Sequence, residues 1–140
     1  MAAVGVADHS GWAVLMTVDR SGNLLDRRRV ELVEDGVPVM PHHHDAQGLP
    51  IDEGVALVER VRASAERCSW AVLAALADAV PAVSAIALRA LQPLPPTVAE
   101  RITDYRAHNV ADWVMYRQAL DDAATARGWA VHWYDPKTVN

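Results

Sequence analysis

The chain has no phenylalanine, a single cysteine, no excess of positive charge and no long uncharged hydrophobic run. Without phenylalanine, the aromatic volume of a core must come from its five tryptophans and three tyrosines. Tyr105, Trp113, Tyr116 and the strand tryptophans are therefore expected inside, not as a base-stacking platform, whose signature is exposed rings interleaved with Lys or Arg. One cysteine cannot close an internal disulfide, and Cys68 falls on the apolar stripe of a predicted helix, where a buried, inert thiol is expected. A net charge of −5 argues against a domain that coats nucleic acid. It leaves room for an enzyme that handles nucleic acid at a metal-lined edge. The weakly charged stretch 68–88 is broken by Asp78 and Pro81 and reads as a buried helix, not a membrane span. Met1-Ala2-Ala3-Val4 lacks the basic and apolar regions of a secretory signal, so a cytoplasmic location is expected.

What is present fits one soluble domain spanning residues 1–140, about half hydrophobic and nearly a quarter charged. No internal repeat or low-complexity tract interrupts it. Val4-Gly5-Val6-Ala7 and residues 12–18 read as neighbouring strands joined by a turn at His9-Ser10-Gly11. Residues 19–23 form the next turn and residues 24–33 a third strand. Arg27, Arg28 and Arg29 on that strand are the charges that keep an edge from pairing with another molecule, or else a phosphate-binding group. Residues 34–50 contain three prolines, two glycines and no periodicity, a long loop of the kind that is usually functional or disordered.

Asp52 is expected to cap a first helix with the stripe Val55, Val58, Val61, Ala65, Cys68, Val72 and Leu76, spaced by threes and fours. Residues 83–89 are near-continuously apolar, as in a central parallel strand. Thr97 with Glu100 forms a capping box for a second helix, with the stripe Ile102, Tyr105, Asn109, Trp113, Tyr116, Leu120 and Ala124. Asn109 is either the cap of a second helical segment, with Asp112 three residues on, or a ligand-facing side chain. Gly128 closes the helix and residues 129–134 form the last strand. The order is three strands, helix, strand, helix, strand. With right-handed crossovers this predicts an α/β fold with a mixed five-stranded sheet of order 3-2-1-4-5, strand 2 antiparallel, flanked by helices. Asp8-His9-Ser10, Arg89 and Asp135-Pro136-Lys137 then meet at the edge where the parallel strands end, the place where open α/β sheets put ligands. The histidine-bearing loop is expected to reach the same edge.

This element order, with the opening Val4-Gly5-Val6-Ala7-Asp8-His9-Ser10-Gly11-Trp12-Ala13, resembles the ribonuclease H-like superfamily, and the opening looks particularly like its resolvase-type branch. The resemblance spans nearly the whole chain in topology and only the opening in sequence. It implies a metal-dependent phosphodiester or phosphate hydrolase, nuclease-like, holding two Mg or Mn ions on carboxylates. Asp8 matches the first-strand aspartate. Glu53 is an imperfect match for the helix carboxylate, and Asp135 is the candidate for an acid supplied by the neighbouring strand. Arg89 stands where active relatives commonly carry an acid. The final helix that often brings the last acid has no counterpart before Asn140.

Around that core of assignments, His9 is a candidate general base with an ordinary pKa near neutrality. Ser10, Arg89, Asn109 and Lys137 are candidate substrate-binding residues, the two cations suiting an anionic substrate such as nucleic acid or a phosphorylated small molecule. His42 and His44, flanking His43 and followed by Asp45, are competent zinc ligands. His108 reads as an exposed helical histidine and His132 as a strand residue packed against a helix. Three functions follow: the hydrolase; a non-catalytic ribonuclease H-like domain binding a protein or small ligand at the same edge, with Arg89 the mark of a lost site; and a zinc-binding histidine-loop protein. A homo-oligomer is compatible with each, a membrane-bound protein with none.

Overall fold

The computed structural model describes residues 1–137. Five strands, β1 (Ala2–His9), β2 (Trp12–Asp19), β3 (Leu24–Glu31), β4 (Val83–Arg89) and β5 (Ala130–Tyr134), form one sheet of order β3-β2-β1-β4-β5. β2 runs antiparallel to both β1 and β3, while β4 lies parallel to β1 and β5 parallel to β4. The α/β class and sheet order expected from the sequence are those observed. The helices are α1 (Ile51–Ala79), α2 (Val98–Thr103), α3 (Tyr105–His108) and α4 (Ala111–Ala126). No helix of the described residues is long and apolar enough to cross a membrane.

Strand alternation sorts the side chains onto two unequal faces. Ala2, Val4 and Val6 of β1, Ala13, Leu15 and Thr17 of β2, Val30 of β3, and Ile86 and Leu88 of β4 are buried under the helices. Their alternates, including Ala3, Gly5, Ala7, Val14, Met16, Ala85 and Ala87, are half-buried or exposed. Both long helices pack on the first face, and their mutual contact is the main one in the helical layer. Leu73 and Leu76 of α1 meet Tyr116, Leu120 and Ala124 of α4 in this single large core. A satellite cluster of Ala46, Val58 and Ile102 closes the far end. There Gly54 lets the backbones approach, since a Cβ on it would stand 3.4 Å from both Ala46 and Ile102.

Several local expectations change. β3 ends at Glu31, short of Val33. Pro50, not Asp52, occupies the N-cap of α1, and Asp52 and Glu53 lie in its first turn, where the helix dipole favours carboxylates. The expected second helix is three pieces. The Thr97 side chain caps α2 by accepting from the Glu100 N–H, as expected, but Asp104 breaks the run and caps α3. Asn109 caps nothing from its N-terminal side; it closes α3, with Nδ2 donating 2.9 Å to the Tyr105 carbonyl. Tyr105 is 77 % exposed and Trp133 41 %, so neither fills the core. His132 is likewise exposed, on the sheet face away from the helices.

The β1–β2 hairpin turns through Ser10 and Gly11, between the paired His9 and Trp12. Gly11 has φ +83°, and a Cβ there would stand 2.7 Å from a methyl of Val39. The turn is thereby fitted against the long loop that follows β3, which the Leu32 N–H also ties to the Gly11 carbonyl at 2.8 Å. Gly11→Ala combines left-handed strain with overpacking, and is expected to lower stability by about 1–3 kcal/mol in urea denaturation.

Candidate functional site

The carboxyl ends of β1 and β4 are joined by a side chain from the helical layer. Val4, Val6 and Asp8 share the face of β1 that the helices cover, so the Asp8 side chain points beneath α4 and not into solvent. Arg117 of α4 meets it, Nε donating to Asp8 Oδ2 at 2.7 Å, with side-chain exposures of only 3 % and 5 % for Arg117 and Asp8. The same guanidinium donates through Nη1 to the Ala90 carbonyl at 3.3 Å and the Gln92 side-chain oxygen at 3.4 Å. Its charge also lies 5.8 Å from the Trp113 ring. Asp8 thus has a cation where a bound metal would have to approach. Removing one partner of a buried pair leaves the other charge uncompensated, so Arg117→Met is expected to cost about 3–5 kcal/mol. Adding Asp8→Asn to it should recover part of that loss in chemical denaturation.

The other candidates at this edge do not gather round Asp8. His9 stacks on Trp12, ring centroids 3.9 Å apart and planes nearly parallel. The same indole also meets Arg29, whose guanidinium carbon is 3.9 Å from the ring centroid. Ser10 Oγ is buried with no hydrogen-bond partner among the described residues. Arg89 is exposed at the end of β4, and Asp135 and Lys137 are exposed beyond β5, where Asp135 Oδ1 accepts from the Lys137 backbone N–H at 2.9 Å. Tyr134 fastens this side of the sheet by donating its hydroxyl to the Val6 carbonyl at 3.0 Å. Glu53, in the first turn of α1, is exposed.

The long loop is ordered about a single π-helical turn, Pro41–Asp45, closed by the Ala46 N–H on the Pro41 carbonyl at 2.8 Å. Its three histidines separate completely. His42 is inside, His43 tilts against the His108 ring at 5.4 Å, and the His44 side chain is 82 % exposed. The turn is held by Asp112 of α4, which is 1 % exposed. Its Oδ1 accepts from the His42 backbone at 3.0 Å and lies 2.8 Å from His42 Nδ1, and its Oδ2 accepts from the His43 backbone at 3.1 Å. A carboxylate can only accept, so His42 Nδ1 carries a hydrogen and donates it to Asp112. Nε2 is buried and has no partner among the described residues, a deficit of about 1–3 kcal/mol. Among those residues no group of three or more His, Cys, Asp or Glu side chains is placed to hold a metal ion.

A cavity of about 480 Å³ opens beside this turn, between α1, α2 and α4. No protein-family model matches the chain, and no curated protein is similar to it in sequence. The geometry alone therefore distinguishes the two places where chemistry could reside: a strand-end edge whose aspartate is ion-paired, and a recess in the helical layer walled partly by a buried histidine.

Arg117 and Asp112 are the residues that sequence reasoning missed. The expected stripe holds at Tyr116, Leu120 and Ala124, but at its start the buried face of α4 runs through Ala111, Asp112 and Met115 instead of Asn109 and Trp113, and it widens to Arg117, Ala119 and Ala123. The signal was the line Ala111, Met115, Ala119 and Ala123, spaced by fours, which turns the helix enough to carry Asp112 inward. Tyr116 completes this set of tethers by donating its hydroxyl to the Val39 carbonyl at 2.6 Å, and burial pushes its phenol far above its ordinary value.

The loop is also tied to α1. The Glu34 N–H donates to Ser64 Oγ at 3.0 Å, while Arg67 bonds the Glu34 carboxylate and holds it below its ordinary value. Cys68, one residue along, is partly buried, and desolvation followed by the nearby Glu34 charge raises its thiol above the model-peptide value. A raised thiol carries less thiolate at any given pH. Alkylation of folded protein near pH 8 is expected to be slower than that of urea-unfolded protein, as a maleimide time course would read.

Proposed function

We infer that this chain is a non-catalytic domain of ribonuclease H-like architecture that binds a small ligand or partner, and is not a two-metal hydrolase. The Asp8–Arg117 pair carries this reading. In the hydrolases that the topology and opening strand resemble, the aspartate of the first strand binds a divalent cation. Here a guanidinium donates to that carboxylate from 2.7 Å, and both side chains are nearly inaccessible. A second cation at the same oxygens would meet direct repulsion. Arg89 adds another positive charge at the end of β4 in place of an acid, and Asp135 lies exposed across β4 from Asp8 in the sheet order. These residues do not fit the Mg or Mn pair that the resemblance implies. The histidine loop does not fit a zinc centre built on His42 and His44, because one is buried against Asp112 and the other faces solvent.

The reading assigns Asp8 a supporting task. Its charge fixes Arg117, Arg117 fixes α4 to the ends of β1 and β4, and α4 carries Asp112 to the histidine turn. Calorimetric titration of wild type and Asp8→Ala with Mg, Mn and Zn checks this, together with their urea stabilities. The expected outcome is no Asp8-dependent binding of Mg or Mn, and a variant less stable than wild type because Arg117 loses its counter-charge. Binding of Mg or Mn that disappears in Asp8→Ala would restore the hydrolase and direct attention to DNA, RNA and phosphorylated small molecules. Zinc binding abolished by replacing His42 and His44 would instead favour the histidine-loop reading.

A further inference from the structure

We propose that a second cavity, between α1 and the part of the long loop that precedes the π turn, is the ligand site of this domain, and that it takes a small carboxylate with an apolar body, such as a medium-chain fatty acid. The inference rests on the binding-domain reading above and gives it a place and a ligand chemistry. The cavity, about 500 Å³, lies in the range of small-molecule sites. Its apolar surface comes from Val37 and Pro38 of the loop and from Leu57, Val61 and Ala63 of α1. The loop wall is held at both ends. On one side the Glu34 N–H donates to Ser64 Oγ and Arg67 bonds the Glu34 carboxylate; on the other, the Val39 carbonyl accepts from the Tyr116 hydroxyl. Val37 and Leu57 also pack on the main core. A wall fixed in this way needs little further ordering when a ligand arrives.

The charge that borders this surface has one sign. Among the described residues, Arg60 and Arg67 line the cavity and no carboxylate does. Arg67 is engaged, its Nη2 bonded to the Glu34 carboxylate, which balances its charge. Arg60 is exposed and makes no hydrogen bond or ion pair with the described residues. Its neighbour on the helix, Glu59, pairs instead with Arg62 and lines the cavity on the other flank of α1. A guanidinium with its donors free therefore stands beside an apolar wall. An amine meets repulsion from that guanidinium, and a neutral apolar molecule leaves it unused. Inorganic phosphate would give up hydration against Val37, Pro38 and Leu57, which offer no polar side chain in return. A carboxylate with a hydrocarbon chain satisfies both parts: its two oxygens accept from the arginine fork while the chain covers the wall.

The test follows the methyl resonances of Val37, Leu57 and Val61 by NMR in the full chain while octanoate, octanamide and acetate are added separately. Octanoate should move them saturably. Octanamide keeps the chain and loses the charge, so it should bind about fivefold more weakly, the order of a partly screened ion pair. Acetate keeps the charge and loses the chain, and should leave the methyls unmoved. Arg60→Gln, on an exposed helix surface, should bring octanoate down to the affinity of octanamide. Ala63→Phe fills the cavity from the helix side and should abolish the saturable movement in a chain whose urea unfolding shows it folded. Methyls that octanoate does not move saturably, octanamide binding equal to octanoate, movement by acetate, indifference to Arg60→Gln, or binding retained in folded Ala63→Phe each overturns the proposal. Failure here with no Asp8-dependent metal binding removes the ligand site alone, whereas Asp8-dependent Mg binding removes the non-catalytic reading itself.

Discussion

The rest of the structure depends on one buried ion pair. Withdrawing Asp8 and Arg117 from water costs several kcal/mol per ion, and their mutual attraction offsets this only in good geometry with the remaining donors satisfied. The geometry is good and part of the guanidinium is supplied with further acceptors: the Nε contact is 2.7 Å, and Nη1 reaches the Ala90 carbonyl at 3.3 Å and Gln92 at 3.4 Å. The pair gives α4 a fixed rotation and a fixed height over the strand ends. From that position Tyr116 reaches the Val39 carbonyl and Asp112 reaches the backbone of His42 and His43. α4 therefore helps to order a proline-rich loop that α1 also holds through Ser64 and Arg67, and that packs Val33 and Val37 on the main core. Such a loop pays for its ordering through the backbone groups it satisfies as well as through that packing.

The sheet explains why concavity arises among the helices. Apart from Val83, which pairs with Ala2 next to a register irregularity, its buried residues belong to one alternation class, and the opposite face presents Ala3, Gly5, Ala7, Ala85 and Ala87 at the centre and Arg27 and Arg29 toward the β3 edge. Small side chains on a pleated surface make a shallow face, not a pocket. On the other side, the two long helices share a core, and a cavity lies beside it, lined by α1, α2, α4 and His42 of the π turn. The polar wall of that space comes from the solvent-facing stripes of α1 and α4, which is why it carries carboxylates and guanidinium groups together.

Topology was legible in the sequence because it rests on patterns repeated over many residues. Strand-length apolar runs, a helix with uninterrupted spacing of threes and fours, and the handedness of crossovers were enough for the order β3-β2-β1-β4-β5. The site was much less legible. Asp8 was recognisable as a strand-end carboxylate, but its partner lies 109 positions along the chain, and no local pattern distinguishes an arginine that pairs inward from one that faces water. His42 and His44 looked like a pair because their separation depends on a π turn that Asp112, from another element, holds. Tyr105 was misplaced for a related reason. Asp104 competes with the helical backbone by bonding the Ala107 N–H, which breaks the helix and rotates everything after it.

The same carboxylate position can serve two opposite ends, and the neighbouring charge decides which. A divalent cation is held by several carboxylates whose mutual repulsion the ion relieves, so a metal edge must carry surplus negative charge before the ion arrives. This edge carries the reverse. Asp8 is balanced by Arg117, Arg89 stands exposed at the end of β4, and beyond β5 Lys137 is set against Asp135. In the proposed reading the ion pair links the strand ends to the loop: by neutralising Asp8 it fastens α4, and by fastening α4 it presents Asp112 to the His42 imidazole and to the backbone of the π turn.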